Sequence, residues 1–106
     1  MKKLFISQPM KDKTNEEIIH ERNVAVRRAQ GVLKEDVEII DSFFENAPVD
    51  ANPVWFLGQS IKCLSTADIA YFAVGWNKAR GCKIEHEICV QYGIPTIEAS
   101  IVGEED

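Results

Sequence analysis

Apolar residues recur at helical intervals in three stretches of this chain. The longest, from Thr14 to Lys34, opens with Thr14 and Glu17 at capping-box spacing. A second helix is predicted from Pro53 to Ser65, because proline suits the first position of a helix. A third is predicted from Gly81 to Tyr92, before a Gly-Ile-Pro segment that stops it. The apolar positions are Ile18, Ala25, Ala29, Val32 and Leu33 in the first helix, and Val54, Leu57, Ile61 and Leu64 in the second.

Short apolar runs before, between and after these helices predict four β-strands. They span Lys3 to Ile6, Val37 to Ile40, Ala67 to Val74, and Thr96 to Glu98. Strands that alternate with helices call for a mainly parallel sheet covered by helices on both faces. We therefore predict one α/β domain over residues 1–100, three-layered and Rossmann-like (flavodoxin-like), with four or five strands. Residues 101–106 form an acidic tail.

Ligands of such folds bind beyond the carboxyl ends of the strands, near the point where the strand order reverses. The segments predicted to meet there follow the first three strands and begin the last helix. They are Ser7-Gln8-Pro9-Met10, Asp41 to Phe44, Gly75-Trp76-Asn77, and the residues around Arg80 and Gly81.

Glu85 stands out because helical periodicity places it on an apolar face. The residues predicted to share that face are Cys82, Ile84, Ile88, Cys89 and Tyr92, with Lys83, His86, Glu87 and Gln91 on the other side. A buried carboxylate must be hydrogen-bonded, paired, protonated or used. Glu85 is either a buried acid stabilised near a helix start or a nucleophile in glycosyl chemistry. A second carboxyl group would come from Asp41 or Asp68, and we favour Asp41 because Asp68 begins a strand.

Composition and charge narrow the class of partner. The chain has 106 residues, 45% apolar and 27% charged, with a formal net charge of −5. Such a charge disfavours a long nucleic-acid track as the partner. Arg22, Arg27 and Arg28 are predicted to form a solvated helix face. The second cationic group lies beside Glu85, where it suits an anion such as phosphate; it comprises Lys78, Arg80 and Lys83.

Three cysteines without CxxC spacing favour a reducing, cytoplasmic compartment. The apolar run from Leu4 to Ile6 is too short for a signal peptide, and no stretch has the length of a membrane span. Cys82, His86 and Cys89 lie at i, i+4 and i+7, but three ligands on one helix are not the usual zinc geometry. Neither nucleotide-binding glycine motif, GxGxxG or GxxxxGK[ST], is present. We expect no metal and no cofactor.

Three segments together resemble a known family: FISQPM after the first strand, ADIAYFAVGW on the third, and RGCKIEHEICVQYGIP after it. The chain resembles the nucleoside 2-deoxyribosyltransferase-like superfamily over nearly its whole length, and most closely a small branch of it in bacteria and phages. The family pattern Gly-x-x-x-Glu followed by Gly-x-Pro matches Gly81 to Glu85 and then Gly93-Ile94-Pro95. The resemblance therefore implies that the nucleophile is Glu85 and not Glu87.

The resemblance implies deoxyribosyl transfer or hydrolysis on a nucleoside or nucleotide, and assembly into a homodimer or larger oligomer. It gives binding roles to Ser7, Gln8, Met10, Gly75 and Gly81. Ala79 replaces an aspartate that transferases commonly carry, and His86 and Glu87 replace small residues. These departures, with Arg80 nearby, favour hydrolysis of a nucleoside monophosphate. Trp55, Trp76 and Phe44 are expected to be exposed for base stacking or oligomer contacts. A non-catalytic nucleotide sensor and a structural or interaction module are the alternatives.

Overall fold

A computed structural model describes residues 1–41 and 47–99 of the chain. Predictions for Phe44 and for the acidic tail at 101–106 lie outside these residues. The elements are β1 (Lys2–Ser7), α1 (Asn15–Leu33), β2 (Val37–Ile39), α2 (Pro53–Leu64), β3 (Ile69–Phe72), a 3₁₀ helix (Trp76–Lys78), α3 (Arg80–Tyr92) and β4 (Thr96–Glu98). Among the described residues, no helix is long and apolar enough to cross a membrane.

The four strands form one parallel sheet in the order β2-β1-β3-β4. In the central pair, Leu4 of β1 lies opposite Ile69 of β3, and Ser7 opposite Phe72. The chain adds β2 on one side of β1 and then returns to add β3 on the other side. The strand order therefore reverses between β1 and β3, and the expected ligand site lies at the carboxyl ends of these two strands.

Helices cover both faces of this sheet and bury two separate apolar clusters. On one face, Ala25 and Ala29 of α1 are fully buried against Leu4 and Tyr71. Their small side chains let the helix lie close to the strands. On the other face, α2 and α3 contribute Leu64 and Cys89, which pack with Phe72. The three-layer α/β/α prediction is confirmed, because neighbouring residues of the central strands serve opposite layers.

Local signals place the helix ends where the sequence predicts them. The Thr14 side chain accepts a hydrogen bond from the Glu17 backbone N–H, and the Glu17 carboxylate accepts one from Thr14 N. Lys34 ends α1 in the left-handed conformation, with φ of 63°. In α2, Asn52 caps the first turn and Pro53 occupies the position where its missing N–H costs no bond.

The predicted third strand, 67 to 74, is too long. Ala67 N donates to Leu64 O in the turn that ends α2, and Trp76 N donates to Ala73 O in the following turn. These turns restrict the regular strand to Ile69–Phe72. Two of the apolar positions that define the helical patterns face solvent, since Val32 and Val54 are 61% and 73% exposed.

Candidate functional site

A cavity of about 530 Å³ opens at the carboxyl end of β1, next to the start of α3. Such a volume falls within the range of about 300–1,000 Å³ typical of small-molecule sites. The strand β1 and the turn after it contribute Phe5, Ile6, Ser7, Gln8, Pro9 and Met10. The residues at and after the start of α3 contribute Ala79, Gly81, Cys82 and Glu85, while Arg22 comes from α1 and Phe56 and Ser60 come from α2.

Glu85 and Ser7 form the polar centre of this cavity. The Ser7 Oγ donates a hydrogen bond of 2.6 Å to Glu85 Oε1, and the two residues are 3% and 7% exposed. They are 78 positions apart in the chain. The last residue of β1 and the second turn of α3 bring them together at the site where the strand order reverses.

The position of Glu85 in its helix differs from one of the two interpretations of the sequence. The helix α3 begins at Arg80, so Glu85 is its sixth residue, and the first turn contains no acidic residue. Unpaired N–H groups occur only in the first turn of a helix. Among the described residues, the hydrogen-bond donor to the Glu85 carboxylate is the Ser7 hydroxyl. The unpaired N–H groups at the start of α3 lie one turn before Glu85.

Burial and hydrogen bonding act in opposite directions on this carboxyl group. Burial raises the pKa of Glu85 above its ordinary value, and the hydrogen bond from Ser7 lowers it in part. Cys82 lies one turn earlier on the same wall, and burial also raises the pKa of its thiol. A raised pKa disfavours the reactive thiolate form of Cys82, so Glu85 is the stronger candidate for chemistry.

The buried face of α3 is rotated from the one predicted. Its buried residues are Cys82, Glu85 and Cys89. Ile84 and Tyr92, predicted to share this face, are 39% and 80% exposed. Ile84 and Tyr92 were therefore wrongly placed on this face, whereas Cys82, Glu85 and Cys89 lie on it as predicted.

His86 was predicted to face solvent, and it is half-buried. Its ring stacks on Trp76 with 4.2 Å between centroids, and its Nε2 lies 2.8 Å from Glu98 Oε2. Trp76 also packs against Phe72 in the core. The expected exposure of Trp76 was thus wrong, and Trp55 is likewise half-buried. Trp76 packs against the core because it begins the 3₁₀ helix that follows the buried strand β3.

Arg22 is the charged cavity residue that sequence reasoning missed, and Phe56 and Ser60 of α2 were missed as well. Arg22 was assigned to a solvated face, but it is half-buried, lines the cavity, and its Nη1 donates to Gln8 Oε1 over 3.2 Å. Arg27 is exposed, as predicted. Three-residue spacing from Ala25 was the one available signal, since it places Arg22 beside the buried stripe of α1.

Several other predicted site residues do not line the cavity. Gly75 has φ of +90° and lies against Pro9, where an added Cβ would be 3.5 Å from Pro9 Cγ. Asp41 follows β2, and its charge acts on Arg22. Asn77 and Arg80 are exposed. Asp68 lies at the opposite edge of the sheet, where its Oδ2 accepts a hydrogen bond of 2.8 Å from Lys3 N.

Within the described residues, no group of three or more His, Cys, Asp or Glu side chains is arranged to hold a metal ion. The side chains of the cavity suit a neutral or anionic organic ligand, since they combine apolar walls with the Ser7, Glu85 and Arg22 groups. Comparisons of this chain with protein-family models, with curated proteins and with solved structures found no match.

Proposed function

We propose that this protein cleaves the N-glycosidic bond of a deoxynucleoside or deoxynucleoside monophosphate, with Glu85 as the nucleophile. The observation that carries the proposal is the buried Glu85 carboxylate on a cavity wall, held by Ser7 at 2.6 Å. Burying an acid costs free energy, and an apolar residue would fill a purely structural position without that cost. The burial of Glu85 therefore favours a functional role. The resemblance of the Gly81 to Glu85 segment to deoxyribosyltransferases supports the same assignment.

The reaction runs in two displacements at the anomeric carbon of the sugar. A Glu85 oxygen bonds to that carbon while the carbon–nitrogen bond breaks, and the base leaves with the electron pair and takes up a proton. Water then attacks the same carbon, Glu85 leaves as a carboxylate, and the proton of the water is released. Asp41 remains the predicted second carboxyl group, and it follows β2 outside the lining of the cavity. An acceptor base in place of water would give transfer.

The hydrogen bond from Ser7 fixes one carboxylate oxygen of Glu85. Burial removes the water that would otherwise stabilise the charge, so the ionised form is a more basic and more reactive nucleophile than an exposed glutamate. Because one oxygen is held by Ser7, we expect the other oxygen of Glu85 to attack.

The test is base release by the wild type and by Glu85→Gln. Each protein is incubated with the four common 2′-deoxynucleosides and their 5′-monophosphates, with and without an acceptor base, and free base is followed by chromatography. We expect Glu85→Gln to lower the rate by at least about 1,000-fold, as loss of a nucleophile does. Glu87→Gln is the matched control, because Glu87 is exposed and lies two residues away on the same helix. Equal rates in the wild type and Glu85→Gln would refute the proposal.

A nucleotide-binding protein without turnover is the second candidate. Ala79 favours it, because this methyl group lines the cavity at a position where transferases commonly carry a carboxylate. Saturable thermal stabilisation by a nucleotide, without base release by either the wild type or Glu85→Gln, would establish this candidate instead.

The proposal includes self-association in a reducing, cytoplasmic compartment. Large apolar side chains on α2 and α3 are exposed and available to a second copy, including Phe56, Val90 and Tyr92. The three free thiols are compatible with a reducing environment. Light scattering of the purified protein gives the oligomeric state, and a mass of one chain would refute self-association.

A further inference from the structure

Arg22 is a cation on the wall of the cavity that contains Glu85. It is half-buried on the inner flank of α1, one turn before the fully buried Ala25. The exposed Arg27 on the same helix shows that this helix also carries arginines with no part in the cavity. Because a guanidinium loses hydration when it enters a cavity, its position there calls for a compensating partner.

A buried amide holds Arg22 in place. Gln8 is 6% exposed, and its Nε2 donates to Ile18 O and to Glu21 Oε1 over 3.3 and 3.2 Å. Arg22 Nη1 donates to the other end of the amide, Gln8 Oε1, over 3.2 Å. Since arginine only donates and a carbonyl or carboxylate only accepts, these partners fix the orientation of the amide. Gln8, predicted to bind substrate, is thus committed to orienting Arg22.

Two acids lie near this guanidinium: Glu21 is linked to it through Gln8, and Asp41 acts on it through its charge. Glu21 divides its carboxylate between Gln8 and Lys13, whose Nζ lies 3.2 Å from Glu21 Oε2. Burial lowers the pKa of Arg22, while the charge of Asp41 raises it. The Gln8 bond uses one of the five N–H donors of the guanidinium. Among the described residues, Gln8 is the side-chain hydrogen-bond partner of these donors, and a positive charge fixed in this way is suited to a planar or tetrahedral oxyanion.

We infer that Arg22 binds a phosphate monoester of the substrate, so that a nucleoside monophosphate is preferred over the free nucleoside. The inference rests on the proposed function for the identity of the nucleoside. The net charge of −5 repels anions in general, so a local cation is needed to admit one. Arg22 takes this role instead of Arg80 and Lys83, because those two are exposed and are not among the described residues that line the cavity.

The experiment measures binding separately from turnover, in proteins that carry Glu85→Gln. Each of the four common 2′-deoxynucleosides, its 5′-monophosphate and its 3′-monophosphate is titrated by calorimetry at pH 7.5. Arg22→Gln is compared with Arg22→Lys and with Arg27→Gln, which removes the same charge from the exposed face of α1. The melting temperature and circular dichroism of each variant show whether it is folded.

We expect the Arg22-containing protein to bind one monophosphate isomer more tightly than the nucleoside. Arg22→Gln should weaken the binding of that isomer by about 10- to 100-fold, as loss of a charged hydrogen bond does. It should change the affinity for the nucleoside by no more than about twofold. The affinity of Arg22→Lys for the same isomer should lie between those of the Arg22-containing protein and Arg22→Gln, because lysine keeps the charge without the planar guanidinium. Arg27→Gln should match its parent. The isomer that responds shows which hydroxyl carries the phosphate.

Several results would overturn the inference. One is an equal loss for nucleoside and nucleotide in both folded Arg22 variants, and another is an unchanged preference. The latter would place the phosphate elsewhere, for example at the start of α3. Absence of binding by every nucleotide would overturn it as well. If the protein with Glu85 intact releases base but Arg22→Gln leaves the preference for the monophosphate unaltered, only the role of Arg22 is refuted. If Arg22→Gln abolishes the preference but the protein with Glu85 intact releases no base, only the catalysis is refuted.

Discussion

Glu85 shows how a single residue couples stability to pH. Burial holds the pKa of Glu85 above its ordinary value of about 4.5, so over a range of pH the folded protein retains a proton that the unfolded chain has already lost. Between these two pKa values the native state binds more protons than the unfolded state, and stability falls as pH rises. The contribution of Glu85 is therefore most favourable below about pH 4.5 and least favourable above its folded pKa. The acid suited to nucleophilic attack is also a source of instability at neutral pH.

Glu85→Gln should therefore raise the melting temperature at neutral pH. The amide carries no charge, and its oxygen can still accept the hydrogen bond from Ser7. The gain over the wild type should shrink as pH falls from 8 toward 4.5, because the wild-type carboxyl group then becomes neutral as well. Thermal unfolding at several pH values measures this, with Glu87→Gln as the exposed control. A gain that does not change with pH would show that packing, and not charge, is responsible.

At the scale of elements, the helix α1 supports the site as well as the core. Its buried alanines lie on one face of the sheet, while Arg22 and Glu21 reach the end of β1 through Gln8. The start of this helix is fixed by the reciprocal bonds of Thr14 and Glu17. Any loosening of its first turns would therefore also loosen the network around Arg22.

Thr14→Ala should lower the free energy of unfolding by about 1 kcal/mol, because it removes the side-chain acceptor for the Glu17 backbone N–H. Urea denaturation measures the change. Asn15→Ala is the matched control, since Asn15 is exposed in the first turn and has no part in the capping box. Equal losses in both variants would contradict a capping effect.

For the whole molecule, periodicity and breakers predict the order of strands and helices, because each element must bury an apolar face. The turn chemistry of Thr14, Pro53 and Gly93 also defines ends within a residue or two. Periodicity does not determine which flank of a helix meets a cavity, since that depends on where a neighbouring strand ends. Arg22 was missed for this reason, and the buried face of α3 was misplaced for the same reason. Glu85 could be identified because helical periodicity alone shows a single acid among apolar residues.

The two apolar clusters share the strands of one sheet, so we expect the domain to unfold in a single transition. Leu64 is 0% exposed in the cluster beneath α2 and α3, and Leu64→Ala should cost about 2–5 kcal/mol. Val54→Ala, on the same helix but 73% exposed, should change stability by no more than about 0.5 kcal/mol. Urea unfolding followed by circular dichroism and by tryptophan fluorescence, to which Trp76 contributes, measures both values.

The two probes test how far the layers depend on each other. Trp76 reports on the layer of α2 and α3, whereas circular dichroism also senses α1 on the opposite face. Since adjacent residues such as Leu4 and Phe5 bury into opposite layers, loss of one layer exposes the sheet that supports the other. The curves of Leu64→Ala should therefore coincide and shift together. Separate midpoints would show that α1 and its strands persist without the other layer, and the site between β1 and α3 would then open before the domain unfolds.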